Sequence, residues 1–248
     1  MFDLDTHFVF PTHAVAPPGP LPARAVRLSF DTPSGATLHG VHIPPAVRQR
    51  GETILVLVFA GNAWNSEDAV DYVAQVYPRA DVVGFHYRGY RPSTGKPSAQ
   101  ALMEDAPAVY DHAVELCRPD KVVAVGLSIG SGVAANLSRQ RRLDGLILVT
   151  PFDSLKKVAE DAVPMLPIGW MFRHEMNAAD ALKASAVPTA IIAAESDLVV
   201  PSARTEALRQ STGKLVYDRT IRRADHNDIY RRSDFHGAMR AALRAVTH

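Results

Sequence analysis

Lys121-Val122-Val123-Ala124-Val125-Gly126-Leu127-Ser128-Ile129-Gly130-Ser131-Gly132-Val133-Ala134-Ala135-Asn136-Leu137 passes from a β-branched apolar run, through a glycine–serine turn, into a stretch with helical spacing. The run 121–125 reads as a strand covered on both faces. Between strand and helix stands Gly126-Leu127-Ser128-Ile129-Gly130, a G-x-S-x-G pattern. With Gly and Ser each used at about 7%, such a pattern arises by chance in roughly one chain in ten of this length, so the context carries the signal. A strand–turn–helix junction lifts the serine Oγ above the sheet at a helix N-terminus, where the positive end of the peptide dipoles favours developing negative charge. A phosphate-holding turn is the other reading. The phosphate-loop pattern G-x-x-x-x-G-K-[ST] and the fingerprint G-x-G-x-x-G are both absent from the sequence.

Outward from this junction the same alternation repeats. Strands are expected at 53–59, 81–85, 145–149, 189–193 and 214–221, and helices at 66–76, 98–117, 129–139, 202–210 and about 229–246. Before them, 25–30 and 36–43 alternate in polarity around Asp31-Thr32-Pro33-Ser34-Gly35, which predicts a β-hairpin. The fold class is therefore α/β, with eight strands in a mostly parallel sheet and helices on both faces. Residues 1–24, rich in proline, read as an extended N-terminal arm, and 25–248 as one domain. The long interval 152–187 breaks the rhythm. It carries Met165, Leu166, Ile168, Trp170, Met171 and Phe172, the composition expected of a small cap over a cleft.

The 248 residues are 47% hydrophobic, and 27 basic against 26 acidic residues leave a net charge of +1. That balance gives no footprint for nucleic acid, and the C-terminal arginines read as a solvated helix face. The single Cys117 excludes an intramolecular disulfide and suggests no metal cluster; it reads as a buried filler rather than a nucleophile. No run approaches the roughly 18 apolar residues of a membrane helix, and Met1–Asp5 lacks a basic start to a signal segment, so a cytoplasmic protein with no integral membrane segment is expected.

A serine hydroxyl is a weak nucleophile until a base takes its proton. After Ser128 the histidines are His174, His226, His236 and His248. His226 sits in a polar loop between the last strand and the last helix, where an imidazole can reach the top of the sheet; surface roles are expected for the other three. The orienting acid belongs after the preceding strand, in Glu195-Ser196-Asp197. Asp197 is the choice, Glu195 the alternative, while Asp225 and Asp228 are expected to shape the histidine loop. Two backbone N–H groups should face the oxyanion. They are Ile129, after the serine, and Asn62 in the turn Gly61-Asn62-Ala63-Trp64-Asn65, with Ala63 as the alternative. Asn65 also suits a helix cap. Ala63, Trp64 and Trp170 are candidate substrate-binding residues.

At Gly61-Asn62-Ala63, Tyr87-Arg88-Gly89-Tyr90, Ser93, Gly95, Pro97-Ser98, Asp105-Ala106, 126–134, Pro151-Phe152-Asp153-Ser154, Ser196-Asp197, Val200-Pro201 and His226-Asn227-Asp228, the chain resembles the bud-emergence-type, depalmitoylase-like and serine-aminopeptidase-like α/β-hydrolases. The resemblance runs in order from about residue 25 to the end. It implies the α/β-hydrolase fold and a Ser128–Asp197–His226 triad. Ala60 replaces a usual histidine, Arg91-Pro92 a usual glycine, and Trp64 a usual small residue. The expected activity is hydrolysis of an ester or thioester of a small acyl substrate through an acyl-enzyme, with no metal or organic cofactor. An aminopeptidase or amidase, or a non-catalytic ligand-binding scaffold, are the competing readings.

Overall fold

Runs of valine, leucine and isoleucine without a polar break leave neither face of a strand suited to water, and each such run takes an interior place in one sheet. A computed structural model describes residues 9–47, 51–163 and 172–248. Among these the strands are β1 (Val26–Asp31), β2 (Thr37–Ile43), β3 (Ile54–Phe59), β4 (Asp81–Phe85), β5 (Lys121–Leu127), β6 (Gly145–Val149), β7 (Thr189–Ala194) and β8 (Leu215–Ile221). They lie in the order β1-β2-β4-β3-β5-β6-β7-β8. β2 is antiparallel to both of its neighbours, and every other pair is parallel. The expected hairpin is β1–β2, and its alternating exposure fits the edge of the sheet.

The two-residue period of β3 divides the core. Leu55, Leu57 and Phe59 join the face covered by α2 (Ala99–Cys117) and α3 (Ile129–Leu137). Val56 and Val58 join the face covered by α1 (Ser66–Val76) and α7 (Phe235–Thr247). Caps fix the helix starts: Asn65 Oδ1 accepts from the Glu67 N–H at 2.9 Å and Ser98 Oγ from the Ala101 N–H at 3.0 Å. Each cap contributes about 1 kcal/mol. No helix among the described residues is long and apolar enough to cross a membrane.

From β3 the chain steps outward to β4, then returns past β3 to enter β5 on its other side. Such a reversal opens a crevice at the C-terminal ends of the two inner strands. The turn at Gly61-Asn62 and the junction at Ser128 flank that crevice.

Three features depart from the sequence reading in detail. The interval 152–187 divides in two. α4 (Leu155–Ala162) reaches the crevice, whereas α5 (Ala178–Leu182) packs against α3 and α6 (Ser202–Ser211), with Ala178 and Leu182 fully buried. Trp170, with the rest of 164–171, lies outside the described residues. The last helix begins later than expected. Asp225 and Asp228 carboxylates bind the local backbone and Arg232 pairs with Asp228, which closes a short 3-10 turn at Ile229–Arg231 before α7 starts at Phe235. The N-terminal arm does more than extend. Phe10 is buried, and the arm is tied down by Asn65 Nδ2 donating to the Ala16 carbonyl (3.0 Å) and the Gly19 N–H donating to Asp68 (2.8 Å).

Candidate active site

A serine at a helix start ordinarily turns its Oγ back to accept a backbone N–H of the first turn. Ser128 does not: at φ 52°, ψ −117° its side chain makes no capping bond, and Oγ lies 2.9 Å from His226 Nε2. The sharp turn requires both flanking glycines. A Cβ on Gly126 would stand 2.5 Å from the Gly130 carbonyl oxygen, and one on Gly130 would stand 2.1 Å from the Phe59 carbonyl oxygen.

His226 is carried by a loop that its neighbours hold shut. Asp225 accepts the N–H groups of Asn227 and Asp228, each at 2.8 Å, and Asp228 accepts that of Asp225 at 2.8 Å. Asp197 Oδ1 accepts the N–H groups of Val199 (2.9 Å) and Val200 (2.8 Å), which leaves Oδ2 facing His226 Nδ1 at 2.8 Å. The side chains of His226 and Asp197 are only 9% and 5% exposed. An ionised carboxylate can only accept, so the network assigns the imidazole proton to Nδ1 and leaves Nε2 to accept from the Ser128 hydroxyl. The arrangement can draw a proton from Oγ and hold the resulting imidazolium beside a charge.

The structure thus brings together Ser128, Asp197 and His226. Glu195 is engaged elsewhere, accepting the Arg223 N–H at 2.7 Å. His174 corrects the surface role expected for it. It is buried, with its ring edge-on to Phe10 at 5.1 Å and Nδ1 3.5 Å from the Ala99 nitrogen, because the arm and Phe172 cover it. Beside the serine, a Cβ built on Gly61 would lie 3.9 Å from Ser128 Cβ, so the turn at Asn62 abuts the junction. Among the described residues the N–H groups of Asn62 and Ile129 have no protein acceptor.

A cavity of about 740 Å³ opens at Ser128 and His226. Ala63 and Trp64 line it, with Trp64 packed on Tyr230 and Tyr72 at ring separations of 4.6 and 5.8 Å. Leu155, Val158 and Phe172 line it as well. The sequence reading missed Val9, Tyr72 and Tyr230 as lining residues. The apolar run Phe8-Val9-Phe10, between His7 and Pro11, was the available signal for the first.

Far from the crevice, where β4 begins and α2 ends, His42 Nε2, Asp81 Oδ1 and Cys117 Sγ lie within 4.8 Å of one another. These are metal-ligand types, dispersed at positions 42, 81 and 117 where spacing could not reveal them. The imidazole and carboxylate already satisfy each other at 2.7 Å, and burial, with Asp81 nearby, pushes the thiol up to about 12.

No protein-family model matches the chain. It is 30% identical over 187 residues to lysophosphatidylserine lipase ABHD12 of Danio rerio, covering 66% of this chain and 46% of that one. It is 31% identical over 165 residues to protein bem46 of Schizosaccharomyces pombe, covering 59% and 52%. The chain spans about half the length of these two relatives. The uncharacterized protein Rv2307c of Mycobacterium tuberculosis is 27% identical over 219 residues, which is 85% of this chain and 77% of that one. Among solved structures, XC6422 from Xanthomonas campestris, an α/β serine hydrolase without lid, superposes with a TM-score of 0.65 at 17% identity over 90% of this chain and 95% of that one. The α/β hydrolase GrgF from Penicillium gives 0.67 at 16% identity over 91% and 98%. With its eight strands in this order and these superpositions, the chain has the α/β-hydrolase fold.

Proposed function

We propose that the protein is a serine hydrolase that cleaves a carboxylic ester or thioester through an acyl-enzyme, with Ser128 as nucleophile, His226 as base and Asp197 as the orienting acid. The observation that carries this reading is the continuous hydrogen-bonded chain Asp197–His226–Ser128 at the wall of an apolar cavity. Oγ attacks the acyl carbonyl while His226 Nε2 takes its proton, then returns it to the departing alcohol or thiol. Water repeats the sequence on the acyl-enzyme. The N–H groups of Asn62 and Ile129 hold the oxyanion in both halves, each worth about 10²–10³ in rate. The acyl chain lies in the cavity between Trp64 and α4. No step calls for a metal or organic cofactor. The zebrafish relative is a lipase by name, which is ester chemistry of the same kind.

The test is labelling of the purified protein by a fluorophosphonate, with the adduct mapped by mass spectrometry, beside turnover of p-nitrophenyl esters, acyl thioesters and aminoacyl anilides. Label on Ser128, with esters and thioesters turned over, is the expected result. Ser128→Ala and His226→Ala should each lower turnover by about 10⁴ or more. Preference for the anilides would make the protein an amidase. Absence of both label and turnover would make it a scaffold.

A further inference from the structure

Tyr87-Arg88-Gly89-Tyr90 follows β4, across β3 from Ser128, and the chemistry above gives it no part. Its two phenols nevertheless converge on the turn that holds Asn62. Tyr87 OH donates to the Ala60 carbonyl at 2.8 Å, and Tyr90 OH donates to Asn62 Oδ1 at 2.6 Å. The other end of the Asn62 side chain, Nδ2, donates to the Val9 carbonyl of the arm. Arg88 anchors the stretch to α2 through Nε to Asp105 Oδ2 at 2.9 Å and a second bond from Nη2 to Asp105 Oδ1.

The turn itself lies beyond the end of β3 and has little of its own to fix it. Its internal bond is the Trp64 N–H to the Gly61 carbonyl at 3.2 Å. In a trans peptide the C=O and N–H point in opposite directions. Holding the Gly61 carbonyl toward Trp64 therefore sends the Asn62 N–H the other way, and a flip of that peptide would withdraw it. The Tyr87 bond fixes the plane of the preceding peptide. The Tyr90 bond, with the Val9 bond, grips residue 62 by its side chain from both ends. An oxyanion donor is worth its full effect only when it is preorganised, and a misplacement of about 1 Å can cost 10²-fold in rate.

We propose that Tyr90, acting through the Asn62 side chain, is a positioning residue for the oxyanion donor, with Tyr87 steadying the peptide before it. The proposal rests on the serine-hydrolase reading above. It assigns the Asn62 side chain a task distinct from that of its backbone N–H.

The experiment uses Tyr90→Phe, Asn62→Ala and the double variant in the full chain. The readouts are kcat and KM on a p-nitrophenyl ester, Ki for a trifluoromethyl ketone whose adduct carries the oxyanion, and Tm. Tyr90→Phe should lower kcat by about 10- to 100-fold, within the range for loss or displacement of one donor. KM should stay within about twofold, and the ketone Ki should rise by the factor that kcat falls. The pH midpoint of kcat/KM should not move, because the contacts of His226 and Asp197 are untouched. If Tyr90 acts through Asn62, the double variant is no slower than Asn62→Ala alone. Tyr90→Phe with wild-type kcat, or a fall in Tm without a rise in the ketone Ki, overturns the positioning role while an inactive Ser128→Ala leaves the hydrolase reading standing. An active Ser128→Ala overturns the hydrolase reading itself. Should Tyr90→Phe fail to fold, Asn62→Ala alone decides, since a purely backbone role predicts near-normal kcat.

Discussion

Gly130→Ala and Gly237→Ala are the same substitution with opposite expected signs. At Gly130 the new Cβ would meet the Phe59 carbonyl oxygen at 2.1 Å, the Phe59 carbonyl carbon at 2.6 Å and the Ala60 oxygen at 2.9 Å, all of them backbone atoms that cannot rotate aside. Carbon and oxygen come no closer than about 3.3 Å in ordinary contacts, so helix and strand end must separate by about 1 Å. Overpacking of this kind costs about 1–3 kcal/mol, and the upper end applies where the obstacle is backbone. At about 2–4 °C per kcal/mol for a chain of this size, Tm should fall by roughly 6–12 °C. The separation also moves Ile129, on the helix, away from the turn that follows Phe59, so the two proposed oxyanion donors no longer share a focus. A displacement of about 1 Å should lower kcat about 100-fold. At Gly237, in α7, a Cβ meets nothing within 4 Å. Relief of glycine's backbone entropy in a helix should there gain about 0.5–1 kcal/mol and raise Tm by about 2 °C. Thermal melts and ester turnover on both variants make the assay. Wild-type Tm and kcat in Gly130→Ala, or a lower Tm in Gly237→Ala, would refute the reasoning from backbone contact.

Trp64→Ala should move the acyl-length optimum to longer chains, by about fourfold in kcat/KM per added methylene accommodated, since each buried methylene contributes about 0.8 kcal/mol; superimposable profiles over a homologous ester series would show that Trp64 does not bound the acyl site. Cys117, with its thiol pushed up to about 12, should react with Ellman's reagent at pH 8 about 10³-fold more slowly than a free thiol, and faster by tenfold per pH unit above that; a native-state rate equal to that of the unfolded chain would contradict it.

The sheet was legible because its interior strands carry period-free apolar runs that only double burial explains, and β4 and β6 match the expected bounds to the residue. Ser128 was legible for a local reason: strand, glycine turn and helix follow one another within a few residues. His226 and Asp197 were legible from order and loop placement, although His226 lies 98 residues from the serine it contacts. What stayed hidden was contact between distant segments. Val9 reaches the cavity across 53 residues to Asn62, and a phenol in one loop grips a side chain in another. The burial of His174 was hidden for the same reason, since its cover comes partly from the arm. Polarity patterns report which face an element buries, not which partner meets it.

The strain at Ser128 has a support that no single residue supplies. A non-glycine residue at positive φ costs about 1–3 kcal/mol and persists only where its surroundings hold it. Ser128 donates its N–H to the Val149 carbonyl at the end of β6, 2.9 Å away. Thr150, just beyond β6 and itself at φ 46°, donates its N–H to the Ile192 carbonyl in β7 at 2.8 Å. Glu195, just beyond β7, donates to the Ile221 carbonyl in β8 at 3.1 Å, and Ser196 to the Ala224 carbonyl at 2.8 Å. Each strand end is therefore hooked to the next by one or two bonds past the regular ladder, and the chain of hooks runs from Ser128 to Ser196, beside Asp197, and on to the loop of His226. Three side chains from three loops keep hydrogen-bond distances because their loops are fixed stepwise to neighbouring strands. On this account, strain at the serine and alignment of its partners are one property of the sheet's C-terminal edge. A change that frees one hook should loosen every contact downstream of it.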